Sequence, residues 1–163
     1  MKVLGIDPGT SATGYGLVGS GDGGGYRLHE CGVIRSDGPD DLADRLVEVH
    51  RGLLQVLERL DPDCVAVEGV FHGRNARTAA VLGHARGVIV MTMALEGLEV
   101  AEYAPAEIKK AVVGTGSASK EQVAYMVKKH LALAEPPAPS DAADGCAAAL
   151  CHHLLGVGSL ASR

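Results

Sequence analysis

The chain has no tryptophan, one phenylalanine and four tyrosines among its 163 residues. Its core must therefore be assembled from alanine, valine, leucine and isoleucine, and the lone Phe71 has to be accounted for separately. No two of the four cysteines, Cys31, Cys64, Cys146 and Cys151, stand at C-x-x-C spacing. Cys146 and Cys151 could join His152 and His153 as zinc ligands, but a second ligand pair at usable spacing is missing. Reduced core thiols in a cytoplasmic protein are the reading this favours. Met1-Lys2-Val3 enters apolar sequence with no basic segment, long apolar run or small-residue cleavage site, so no secretory signal is expected. The most apolar stretch, Val88 to Leu95, falls short of the ~20 residues a membrane span needs, and no membrane partner is expected.

An excess of positive charge is missing as well, the net charge being −5. That balance argues against tight nonspecific binding to nucleic acid. The distribution is uneven, however. Residues 64–130 carry 8 Lys/Arg against 6 Asp/Glu, while residues 1–63 carry 6 against 11 and residues 131–163 carry 1 against 3. A basic face can thus coexist with acids gathered elsewhere, where cations could neutralise them. Length and a 47% apolar content fit one domain, expected over residues 1–155, with a Gly-rich flexible tail at 156–163.

The patterning predicts an α/β domain. Lys2–Asp7 is a short apolar strand ending on an acid before the turn dipeptide Pro8-Gly9. Strands over 14–18 and 26–35 flank a Gly-rich turn and give hairpin character. Leu42, Leu46, Val49, Leu53, Leu54 and Leu57 fall at helical spacing, predicting a helix over 41–60. Cys64–Val67 is a buried strand terminating on Glu68. A long helix apolar nearly all round spans 74–96, a strand 99–103, and helices 105–113 and 120–131 follow. Ser140 is the expected N-cap of a last helix over 141–155. The elements make a mixed five-stranded sheet with helices on both faces.

Four acids fall at strand ends or at a helix start: Asp7, Glu68, Asp141 and Asp144. On parallel neighbouring strands, Asp7 and Glu68 would end about 4.8 Å apart laterally. Asp141 and Asp144, spaced i,i+3, would share one helix face about 5–6 Å apart. Taken singly, the plainer readings win: Asp7 as a turn-forming acid before Pro8-Gly9, and Asp141 as a helix-start acid favoured by the dipole. Together they crowd like charges that would destabilise the fold unless hard cations neutralise them. A pair of divalent ions about 3.5–4 Å apart is suited to phosphodiester displacement. Lys120 stands at a helix start, where the dipole disfavours a cation, and this is explained if it reaches a phosphate.

Several segments resemble one family. Gly5-Ile-Asp7-Pro-Gly-Thr10 with Thr13-Gly-Tyr-Gly16, Val67-Glu68-Gly-Val-Phe71, Arg74-Asn75-Ala76 and Gly83-His-Ala-Arg86-Gly87 resemble RuvC Holliday junction resolvases. So do Lys109 to Lys120 and Asp141-Ala-Ala-Asp144-Gly-Cys-Ala-Ala-Ala-Leu150, and the match runs in order from residue 3 to about 153. The resemblance implies a ribonuclease-H-like fold, a homodimer and paired, symmetric, metal-dependent nicks in four-way junction DNA during recombination and repair. It also implies products bearing 5′-phosphates. Carried over by position, Asp7, Glu68, Asp141 and Asp144 are implied metal-binding catalytic acids, holding two Mg²⁺ with Mn²⁺ as a substitute. Lys109 and Lys120 are implied to act near the scissile phosphate and Phe71 to stack on a base at the crossover. His72, beside Phe71, and Arg74, Asn75, Arg77, Lys110 and Ser117 are further candidate DNA contacts, and a RuvA–RuvB branch-migration complex is a candidate partner. Gly69 and Gly73 stand where larger residues are expected, which implies a looser loop around Phe71, and the short C-terminal tail leaves little for a partner to hold.

Other motifs fail on context. Gly14-Tyr-Gly16-Leu-Val-Gly19 fits G-x-G-x-x-G but inside a strand, and Gly114-x-Gly116-x-x-x-Lys120 lacks the Gly before and the Ser/Thr after its Lys. Asp7-Pro-Gly-Thr10 also resembles the first phosphate loop of the sugar-kinase, actin and heat-shock ATPase superfamily, whose enzymes need two lobes where this length holds one. A junction binder that does not cut would have a broken acid position, and none is broken. On the long helix, Gly83 and Gly87 and a second apolar face point to a symmetric dimer. His50 and His84 read as structural.

Overall fold

The computed structural model describes residues 1–36, 41–69 and 76–156. Five strands, β1 (Lys2–Asp7), β2 (Ala12–Ser20), β3 (Tyr26–Arg35), β4 (Cys64–Glu68) and β5 (Val100–Tyr103), form one sheet in the order β3-β2-β1-β4-β5. β1 pairs antiparallel with β2 and parallel with β4; β2–β3 is antiparallel and β4–β5 parallel. β1 therefore lies at the centre, which explains why its run alternates nothing: Val3, Leu4 and Ile6 are all fully buried.

Two cores separate on the two faces. Leu4, Ile6 and Leu17 pack with Val49 and Leu53 of α1 (Leu42–Leu60) and Ile89 and Met93 of α2 (Ala76–Leu95). Val3, Val18 and Ala66 pack with α3 (Pro105–Val113), α4 (Lys120–His130) and α5 (Ser140–Leu155). The mixed sheet covered on both faces is the ribonuclease-H-like arrangement that the sequence led us to expect. Local signals set the boundaries. Asp41 accepts a hydrogen bond from the Ala43 amide at 2.7 Å to start α1, and Asp61 ends it in the left-handed region (φ 47°) before Pro62. Ser119 and Gln122 form a reciprocal capping box at the start of α4.

Three expectations need correction. β2 is longer than 14–18 because both of its edges are paired, with β1 and with β3. Ser140 is not the N-cap of α5: the Ala142 amide bonds to the Pro139 carbonyl at 3.0 Å, so the first turn reaches back to include Ser140. Finally, one segment does reach the length and apolar composition of a membrane span, Arg77–Leu95 in α2. In this fold its Ala85, Ile89 and Met93 are buried. The 74–75 portion expected in this helix, and residues 157–163 of the expected tail, lie outside the described residues.

Candidate active site and its carboxylate cluster

The β1–β4 register ends at Ile6↔Val67, so Asp7 and Glu68 each follow the last paired residue of adjacent parallel strands. Both carboxylates emerge at the same sheet edge. β5 fixes the end of β4 through the Glu68↔Tyr103 pair and the Gly69 amide, which donates to the Tyr103 carbonyl at 2.8 Å.

What brings Asp141 and Asp144 to that edge is the seat of α5. On the α5 face of β1 and β2 stand Gly5, Gly14 and Gly16. A methyl added at Gly5 would collide with the Gly145 carbonyl, at Gly14 with the Asp141 carbonyl, and at Gly16 with the Cys146 thiol. The helix answers with Gly145, where a methyl would stand 2.7 Å from the Tyr15 backbone. The helix thus rests backbone to backbone on the sheet, an approach that only side-chain-free positions allow. Ala142, Ala143, Ala147, Ala148 and Ala149 are buried around it.

Carboxylate oxygens of Asp7, Asp141 and Asp144 lie within 4.8 Å of one another. Glu68 lines the adjoining cleft of about 180 Å³ with Asp7, Asp144, Lys109 and Lys120, against an apolar wall of Pro105, Ile108, Val123 and Ala147. The Lys120 Nζ donates to Asp144 Oδ2 at 2.9 Å. Burial, reinforced by repulsion from Glu68, Asp144 and Asp141, pushes Asp7 up to about 8 against the pull of Lys120. Burial and the Asp144 charge raise Glu68 to about 7, while Lys120 and Lys109 act to lower it. Lys120 is itself raised, chiefly by its hydrogen bond to Asp144.

The donor set fits a hard divalent cation. Three carboxylates within reach of one point, a fourth nearby and two acids raised towards neutrality describe a site short of positive charge. Lys120 on Asp144 supplies part of it. Among the described residues this is the one cluster of three or more His, Cys, Asp or Glu donors of that kind. The zinc alternative is not realised: His152 pairs with the Tyr103 hydroxyl at 2.8 Å, His153 with the Val18 carbonyl at 2.9 Å, and Cys146 and Cys151 are buried free thiols.

The remaining expected contacts divide. Lys110 and Ser117 are exposed outside the cleft lining, Ser117 sharing a 3.1 Å hydrogen bond with Thr115, and Arg77 is exposed in the first turn of α2. Phe71, His72, Gly73, Arg74 and Asn75 lie outside the described residues. His50 bonds Thr92 at 2.8 Å, tying α1 to α2, and His84 bonds the Ala80 carbonyl at 2.7 Å. The apolar wall was not anticipated from sequence, although a signal existed. Val123 and Ala147 each follow a charged cleft residue, Lys120 and Asp144, by three positions and so share its helix face.

The sequence matches the family Crossover junction endodeoxyribonuclease RuvC over residues 3–152. A protein of that name from Syntrophomonas wolfei is 47% identical over 152 residues, covering 93% of this chain and 88% of its own. The solved Thermus thermophilus RuvC structure is similar with a TM-score of 0.87 at 36% identity, covering 98% of this chain and 97% of that one. T. thermophilus RuvC in complex with Holliday junction substrate superposes with a TM-score of 0.84 at 34% identity, covering 96% and 95%.

Proposed function

The chain belongs to the RuvC family of crossover junction endodeoxyribonucleases, and from that premise we propose that it resolves four-way DNA junctions by paired nicks, its own carboxylate cluster holding the metal. The observation that carries this reading is the convergence of Asp7, Asp141 and Asp144, with Glu68, Lys109 and Lys120 on the same cleft. Residues 1–155 act as one nuclease unit, in the cytoplasm, in recombination and repair.

Asp7, Glu68, Asp141 and Asp144 would together hold two Mg²⁺, with Mn²⁺ able to substitute. When bound, such ions supply Lewis-acid activation of water and charge compensation at the leaving oxygen of an in-line displacement. The residues do the rest. Lys120 exchanges Asp144 for a nonbridging phosphate oxygen, and Lys109, in the same cleft, offsets further charge. Ile108, Val123 and Ala147 keep bulk water off one wall and strengthen these charges. Products carry 5′-phosphate and 3′-hydroxyl ends. Phe71, three residues beyond Glu68, stacks on a base at the crossover, with His72, Arg74, Asn75, Arg77, Lys110 and Ser117 along the strand.

A second copy covers α2. Ala80, His84, Gly87, Met91, Ala94 and Leu95 form its exposed face, with Met91 51% and Leu95 72% accessible. Added methyls at Gly83 and Gly87 would meet nothing within 4 Å. Glycine costs a helix interior about 0.5–1 kcal/mol relative to alanine, and among the described residues nothing requires it at either position. A two-fold dimer through α2 accounts for both and sets two sites on opposing strands of a two-fold junction. A branch-migration complex of the RuvA–RuvB kind is a further partner. Cleavage of a mobile junction, mapped at nucleotide resolution with Mg²⁺ and with Mn²⁺, tests the reading. Symmetric metal-dependent nicks support it, and metal-independent or absent scission overturns it.

A further inference from the structure

Asp7 is held on one side only. The β1–β4 ladder stops at Ile6, so Asp7 pairs with Gly14 of β2 and with nothing on β4. The loop that follows, residues 8–11, connects β1 to β2, and its conformation decides where the end of β1 lies. Three consecutive carbonyls of this loop are tied down. The Thr13 hydroxyl donates to the Gly9 carbonyl at 2.8 Å. The Ser36 hydroxyl donates to the Thr10 carbonyl at 2.8 Å, and the Ser36 amide to the Ser11 carbonyl at 3.0 Å. Thr13 is 0% exposed and Ser36 2%.

Side-chain alternation puts the two halves of this arrangement on opposite faces. Asp7 shares the α5 face with Val3 and Gly5. Thr13 shares the other face with Tyr15 and Leu17, which pack in the α1–α2 core. The loop is therefore anchored from behind the sheet while its acid works in front. Ordinary packing of a threonine does not require its hydroxyl, and a serine beyond the end of β3 does not need two bonds to one neighbouring loop. Both make sense if the loop must not move.

We infer that Thr13 and Ser36 are positioning residues for metal binding: by pinning the 9–11 carbonyls they hold the Asp7 carboxylate within reach of Asp141 and Asp144. This inference rests on the metal-site reading above. The test is direct titration of the full-length protein with Mn²⁺, followed by electron paramagnetic resonance, alongside melting in chelator and the Mg²⁺ dependence of junction cleavage. Thr13→Val keeps the shape and removes the donor; Thr13→Ser keeps the donor; Ser36→Ala removes the hydroxyl bond to the Thr10 carbonyl and leaves the backbone bond to Ser11. Loss of an outer hydrogen-bond partner typically weakens metal binding 10–100-fold, and for anchors acting through a backbone loop we expect roughly three- to tenfold. Thr13→Val and Ser36→Ala should each show that loss, with half-maximal cleavage shifted to correspondingly higher Mg²⁺ and junction affinity in chelator unchanged. Thr13→Ser should bind Mn²⁺ like the parent. Parent-like Mn²⁺ binding by both Thr13→Val and Ser36→Ala overturns the inference. So does a loss in Thr13→Ser equal to that in Thr13→Val, which would assign the effect to packing. If Thr13→Val does not fold, Ser36→Ala and Thr13→Ser decide it. Asp7→Asn serves as the control: Mn²⁺ binding undiminished in that variant sinks the metal-site reading itself, whatever the anchors do.

Discussion

Replacing Asp7 by Asn should make the metal-free protein more stable while removing its ability to cut. The Asp7 carboxyl is carried from its ordinary 3.8 to about 8. At 1.36 kcal/mol per pH unit, this amounts to about 6 kcal/mol working against folding once the group is ionised. Water entering the cleft and the freedom of Lys120 to shift reduce the retained part to about 2 kcal/mol. The sign follows from proton counting. The folded state binds a proton that the unfolded state has released, so stability falls as pH rises from about 4 to about 8 and levels off above that. Glu68, raised from 4.5 to about 7, adds a slope of the same sign between those values. Asn carries no charge, so the Asp7→Asn protein in chelator should lose the larger part of this slope. For a domain of this size, ~2 kcal/mol corresponds to a melting temperature higher by about 4–8 °C near pH 8, with little difference near pH 4. Mg²⁺ should raise the melting temperature of the parent and leave the variant nearly unmoved, since bound cation relieves the repulsion that the substitution has already removed. The assay is thermal melting from pH 4 to 9, with and without Mg²⁺. An Asn variant less stable than the parent at pH 8 in chelator, or equally stabilised by Mg²⁺, would refute the reasoning.

Lys120→Ala should lower the cleavage rate far more than junction affinity, because the ammonium on Asp144 is asked to stabilise charge arising in the reaction; equal losses in single-turnover rate and in binding would make it one anchor among several. Gly145→Ala would place a methyl 2.7 Å from the Tyr15 backbone, so melting should fall by an amount equivalent to about 1–3 kcal/mol and Mn²⁺ binding should weaken with it as α5 lifts. A variant that melts like the parent would show that the helix can shift without cost. Leu95→Glu should yield monomers in analytical ultracentrifugation and uncouple the two nicks of a junction, whereas an unchanged dimer would move the interface away from α2.

The acids could be read from the sequence because two local rules suffice to gather them. A strand that ends on an acid delivers it to the sheet edge, and i,i+3 spacing on a helix puts Asp141 and Asp144 side by side. The same locality explains the placement of Lys109, midway along α3, and Lys120, the first residue of α4, which both open onto the cleft. The helix starts were harder. Ser140 has the chemistry of a cap, yet the Pro139 carbonyl takes the Ala142 amide, and which residue starts the turn depends on how the incoming chain is laid against the sheet. The hydroxyl anchors were out of reach for a similar reason. Thr13 and Ser36 look like strand residues until β3 is folded back beside β2 and sets Ser36 against a loop 26 positions earlier.

Glycine carried the least legible information and the most structural weight. Gly14 and Gly16 in β2 fit a nucleotide-binding pattern in the wrong context, and by propensity they only weaken a strand. Their use appears when α5, some 130 residues later, lies on them. Each side chain omitted from β1 and β2 lets the helix backbone come closer, and that closeness puts Asp141 and Asp144 beside Asp7. The contact has to withstand the repulsion it creates. Leu150, fully buried on α5, is worth about 1.5–3 kcal/mol, comparable with the penalty retained at Asp7. Cys146, Ala147, Ala148 and Ala149, all within 1% of complete burial, add to it on the same helix. The packed helix therefore outweighs the crowded acids, and the cluster stays assembled before any cation arrives. Pre-assembly is what an ion-dependent nuclease needs from its scaffold, since carboxylates already in place bind metal without the cost of gathering them.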